Sequence, residues 1–113
     1  MLARNPCKRI LGLESGWVIA SFRDKATEAL FHGGARKEYR AFPPNILSTA
    51  RRKLDMLNAA TALLDLKAPP GNRLEALSGD LAGCHSIRVN DQWRVVFRWA
   101  GSEAFEVRMI DYH

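Results

Sequence analysis

The chain is expected to fold as an α+β domain, a small twisted antiparallel sheet with two to three helices packed on one face, and three observations carry that expectation. Apolar residues recur at helical steps in the first part of the chain and switch to strand-like alternation after Gly71. The strand candidates that follow are separated only by short stretches of turn chemistry, so neighbours in sequence should pair. A length of 113 residues with 47% hydrophobic content fits one domain that buries a modest core without disulfides or metals.

Trp17 to Phe22 is rich in β-branched and aromatic residues and reads as a short first strand. Asp24 can cap the helix that follows, where Ala26, Ala29 and Leu30 sit at helical spacing before Gly33 and Gly34 stop it. His32, beside those glycines, reads as a loop residue rather than a ligand. A basic loop from Arg36 to Arg40 runs into Phe42. Pro43 and Pro44 can open the main amphipathic helix, whose core side is Leu47, Ala50, Leu54 and Leu57. Its other side displays Arg51, Arg52 and Lys53, with Asp55 placed to pair with Arg51 one turn back. Thr61 to Leu66 adds a turn or two before Ala68-Pro69-Pro70-Gly71 breaks the chain.

Four strands are expected after that break, at Leu74–Leu77, Ser86–Val89, Trp93–Trp99 and Ala104–Ile110. Alternation in the third puts Trp93, Val95, Phe97 and Trp99 on one face and Arg94, Val96 and Arg98 on the other. The first face is expected to meet the helices. The second is expected to stay open, lined by arginines, which suits either a cradle for single-stranded nucleic acid or an ordinary solvated face.

Net charge is +5, and its distribution says more than its total. Residues 18–67 hold nine basic against five acidic residues, whereas 68–113 hold five against six. The basic excess lies upstream of the terminal residues, which suits a protein that docks on an anionic partner with one surface, Arg51, Arg52 and Lys53 included, and works with another. Cys7 and Cys84 form no disulfide framework or zinc spacing. Met1 to Ser15 lacks the apolar centre of a secretory signal and no apolar run approaches a membrane span, so a cytoplasmic protein is expected. The last three residues, Asp111, Tyr112 and His113, place a carboxylate, a phenol and an imidazole at the end of a strand. Such groups exchange protons, donate hydrogen bonds or stack on bases.

Four segments together resemble the HigB toxins of the RelE/ParE superfamily. They are Ser21-Phe22-Arg23-Asp24-Lys25, Asn72 to Asp80 with its Leu-x-Gly-Asp turn, Ser86 to Val95 with Asn-x-x-Trp-Arg, and the terminal Asp-Tyr-His. The resemblance spans Val18 to His113. It implies the toxin of a type II toxin–antitoxin pair, which enters the ribosomal A site and cleaves the mRNA being translated. It implies a helix-turn-helix antitoxin as partner and neither metal nor organic cofactor. The functional residues it carries over are Arg94, Asp111, Tyr112 and His113. Some members have a histidine where this chain has Glu75, and a lysine where it has Ser78. Glu75 therefore either serves as a second proton carrier or opposes RNA with its charge. Metal-free cleavage needs a base for the ribose 2′-OH, an acid for the leaving oxygen and cations for the phosphorane, a field to which Arg73 and Arg88 could add.

The rival within the superfamily is a ParE-type toxin, which shares the fold and inhibits DNA gyrase by binding alone. Residues 1–17 have no counterpart in the resemblance. They read as an N-terminal extension, either a misassigned start ahead of a GUG codon at Val18 or a disordered basic segment, with the toxin domain over 18–113. Arg94 is expected to lie outside the core, so Arg94→Ala should leave the fold intact.

Overall fold

The structure is a computed structural model that describes residues 19–111. Cys7, Trp17, Val18, Tyr112, His113 and the proposed extension lie outside the described residues. The first helix, α1, covers Lys25–His32. Asp24 caps it as expected, its Oδ1 accepting the Thr27 N–H at 2.7 Å. Gly33 ends it in the left-handed region at φ 77°, where a side chain would be strained. His32 is the last helical residue, its ring edge-on to Phe31 and Phe22.

Pro44 opens a 3-10 turn, Pro44–Ile46, that runs directly into α2, Leu47–Ala59. A proline there forfeits no hydrogen bond, because the first helical N–H groups have no partner to lose. Ala50, Leu54 and Leu57 are fully buried on the face read from their spacing. Two more 3-10 turns, Leu63–Lys67 and Pro70–Asn72, lead to the sheet.

The sheet is antiparallel in the order β1-β2-β3-β4, with β1 Glu75–Ala76, β2 Cys84–Arg88, β3 Trp93–Ala100 and β4 Glu103–Asp111. Ile87, Val95, Phe97 and Val107 are completely buried and form one core with Leu30, Leu54 and Leu57. The α+β layering and the pairing of sequence neighbours are as the patterning requires.

Three expectations need correction. The run ending at Phe22 makes, over its described part, only isolated parallel bridges, Ile19 to Ala104 and Phe22 to Val107. A β-bulge in β4 explains the interruption: the register shifts between Val96 and Arg98, and Glu106 takes φ 55° with its N–H given to Ser21 Oγ at 2.9 Å. The first sheet strand is two residues rather than Leu74–Leu77, and beyond it Leu77 N–H still reaches the Cys84 carbonyl at 2.9 Å. The sheet face away from the helices is also not simply open. Cys84, Ser86, Arg94 and Val96 on it are all buried.

Candidate active site

Arg94 organises the site. It lies opposite Arg88 on β2 and Ile110 on β4, and only 8% of it is exposed. A guanidinium removed from water needs partners for its donors, and the surroundings supply them at Nε and Nη2. Its Nε donates to Ser86 Oγ at 2.7 Å and Nη2 donates to the Arg73 carbonyl at 2.7 Å. The Glu75 carboxylate stands 3.5 Å from Nη2, its side chain 53% exposed. Arg73 is turned into the left-handed region at φ 46°. For a residue with a side chain this conformation is uncommon and is held by its surroundings. Arg94 is thus a built-in cation and not an arginine on an open face: it lies outside the hydrophobic core cluster, as expected, yet is buried and bonded to two other segments of the fold.

The same loop is gripped from its other side. Asn72 is completely buried, and its amide donates to the carbonyls of Leu66 at 3.1 Å and Ala68 at 3.3 Å. Its Oδ1 accepts from Lys53 Nζ at 2.5 Å. Lys53, expected among the displayed cations of the main helix, is only 7% exposed. Helical position explains this: residue 53 adjoins Leu54 and lies three after Ala50, at the border of the core face. Asn72 and Arg73 are therefore clamped between α2 and β3.

Burial pushes the Lys53 ammonium below its ordinary value, and the positive charges of Arg52 and Arg88 push it further the same way. A lysine depressed in the folded state opposes folding while both states would hold the proton, and that opposition is relieved as pH rises towards 10.5. The wild type should therefore gain stability relative to Lys53→Met as pH rises from neutral towards that value. Urea unfolding of both proteins across the range checks the sign, and a constant difference would refute it.

Arg52 is exposed, and Arg88 ion-pairs with Asp91 in the β2–β3 turn. Arg51 donates to Tyr39 Oη at 2.8 Å and lies over its ring, so the expected Asp55 pairing gives way to an aromatic contact. Arg51 is thereby committed to the α1–α2 connection, away from the sheet.

Asp111 pairs with Trp93, one register step from Arg94. It is exposed, and Gln92 Nε2 donates to its Oδ2 at 3.1 Å. By alternation Asp111 belongs to the Trp93 side and Ile110 to the Arg94 side. Asp111 is the last residue of β4 and the last described residue of the chain. One end of the sheet thus collects Arg73, Glu75, Arg88, Arg94 and Asp111, with Arg52 and Lys53 beside Arg88. Among the described residues no group of three or more His, Cys, Asp or Glu is placed to hold a metal ion, and no helix is long and apolar enough to cross a membrane.

Ser86, Asn72 and Gln92 are supporting residues that sequence reasoning misses. Ser86 carries a signal, since a hydroxyl among apolar strand residues needs a partner when buried. Asn72 and Gln92 act through chain segments that meet only in the folded protein.

Residues 20–113 match the family described as the RelE-like toxin of the type II toxin–antitoxin system HigB. The chain belongs to this family. Toxin HigB-1 of Vibrio cholerae is 45% identical over 92 residues, which span 81% of this chain and 94% of that protein. The endoribonuclease HigB of Proteus vulgaris is 28% identical over 96 residues, 85% of this chain and all of the relative. An uncharacterized Haemophilus influenzae protein is 39% identical over 61 residues, 54% of this chain and 60% of that protein. The HigB-like chain is thus a toxin of a type II system with an antitoxin as its partner, and the match supports the HigB reading over the ParE-type rival.

Proposed function

We propose that this HigB-like toxin is an endoribonuclease that cleaves mRNA on the ribosome in the cytoplasm, without a metal, and is restrained by a helix-turn-helix antitoxin. The observation that carries the reading is that β3 and β4 bring Arg94, buried and hydrogen-bonded, within one register step of Asp111, which Tyr112 and His113 follow in sequence. A cation in a site of low exposure acts strongly on charge that develops beside it, and its hydrogen bonds to Ser86 and Arg73 hold it in place before substrate arrives.

In this mechanism the ribose 2′-OH attacks the adjacent phosphorus after losing its proton, the phosphorane charge is met by Arg94 with Arg88 and Arg73 adding to the field, and the 5′-oxygen leaves protonated. Asp111, His113 and Glu75 are the proton carriers available for those two transfers. Tyr112 stacks on a base or donates to the phosphate. Arg52 and Lys53 extend the positive field on the α2 side, with Lys53 acting through space because its ammonium is bonded to Asn72. Arg51, held by Tyr39, contributes more distantly.

Inducing the toxin and mapping mRNA ends by primer extension tests this. Cuts in phase with codons are expected. Intact messages together with failed gyrase supercoiling would replace the reading with its ParE-type rival.

A further inference from the structure

The register places a second group of residues on the sheet face that carries Arg94. Arg98 pairs with Phe105, and Arg108 pairs with Val96, the residue between Arg94 and Arg98. Phe105, Arg98 and Arg108 thus share the face turned away from the helices, around a Val96 that is only 1% exposed. Phe105 is half-buried, yet it belongs neither to the core cluster nor to the hydrophobics packed against that cluster. An aromatic ring on the outer face of a sheet, flanked by arginines, needs an explanation that core packing does not supply.

Arg98 is held as well as exposed, and Arg108 is half-buried. Arg98, its side chain 47% exposed, donates through Nε to Glu106 Oε1 at 3.0 Å, and Arg23 approaches the same oxygen at 3.7 Å. The bulge at Glu106 turns that carboxylate towards both guanidinium groups. On its other side Arg98 lies against Gly83, where an added Cβ would fall 2.8 Å from Nη1. Gly83 also sits at φ 92°, so both the space and the backbone there favour glycine. The result is a cation fixed over the sheet beside an aromatic face.

We propose that Phe105, Arg98 and Arg108 form a subsite for one nucleotide of single-stranded RNA flanking the scissile bond, the base stacked on Phe105 and its phosphate met by the two arginines. The subsite rests on the nuclease reading above, and it is continuous with Arg94 along one face. Stacking plus backbone charge is the means by which proteins hold single strands without reading sequence. An acidic segment of a protein partner would use the arginines but would have less use for an aromatic ring between them.

The test uses the full-length toxin and ribosomes programmed with a message whose A-site codon carries 2′-O-methyl groups, so that binding is read without cleavage. Phe105→Leu should weaken binding about 5- to 20-fold at an unchanged melting temperature, and Phe105→Tyr should restore it. Arg98→Gln with Arg108→Gln should weaken binding and reduce its salt dependence, by a slope of about 0.7 for each phosphate of the single strand that is no longer neutralised. Wild-type affinity in Phe105→Leu and in the arginine variant would overturn the subsite. So would loss of antitoxin capture with RNA binding intact, which would make the face a protein interface. Failure of the nuclease reading is separate, because it would appear as an unmodified message that is bound and left uncut.

Discussion

Arg94→Ala is expected to lower the melting temperature and abolish toxicity together. The substitution deletes two well-formed hydrogen bonds, leaves Ser86 Oγ and the Arg73 carbonyl without their donor, and empties the volume of a buried side chain. Stranding buried polar groups in this way costs about 2–4 kcal/mol, which in a domain of this size is on the order of 10 °C in melting temperature. The Glu75 contact adds little to that figure, because its carboxylate is half exposed and water screens it. Thermal melting beside a growth assay checks the result. A variant that melts with the wild type would mean that the bonds to Ser86 and Arg73 contribute nothing to stability. Arg94→Lys should fall between the two, since it retains charge but lacks the planar fork that reaches Ser86 and Arg73 at once.

Removing His113 should separate what Arg94→Ala joins. If the terminal imidazole carries one of the two proton transfers, its loss should slow cleavage by at least about 100-fold. The melting temperature should stay at the wild-type value, because the core is completed by Val107 and Met109 and the strand is closed by the pairing of Asp111 with Trp93. Cleavage rates on programmed ribosomes, with melting curves on the same preparations, give both quantities. Full activity in the truncated toxin would remove His113 from the mechanism and leave Asp111 and Glu75 as its proton carriers.

The elements are readable because each is settled by residues close to it in the chain. Asp24 caps α1 from three residues away, Gly33 ends it by occupying a left-handed conformation, and the alternation of Trp93, Val95 and Phe97 names the core face of β3 whatever lies beyond it. The bulge at Glu106 is not readable. It depends on Ser21, brought from far away in sequence to accept the Glu106 N–H. Lys53 escapes the pattern for a similar reason. Its spacing permits either face, and the decision is made by Asn72, whose Oδ1 offers a lysine at the edge of the core the acceptor it needs.

The site divides along the same line. Sequence by itself determined which residue types stand at the end of β4, that Arg94 follows Trp93 on the neighbouring strand, and, by a joint pattern over four segments, the toxin family to which the chain belongs. Only the tertiary structure decided that Arg94 is a buried, engaged cation, that Arg73 serves it through a carbonyl, and that Arg51 is held by Tyr39. The physical reason is that residue type and spacing specify direction along one element, whereas burial and hydrogen-bond partners are set by what other elements bring alongside. Alternation could assign Arg94 to a face, and only the loop from Asn72 to Glu75 could cover it.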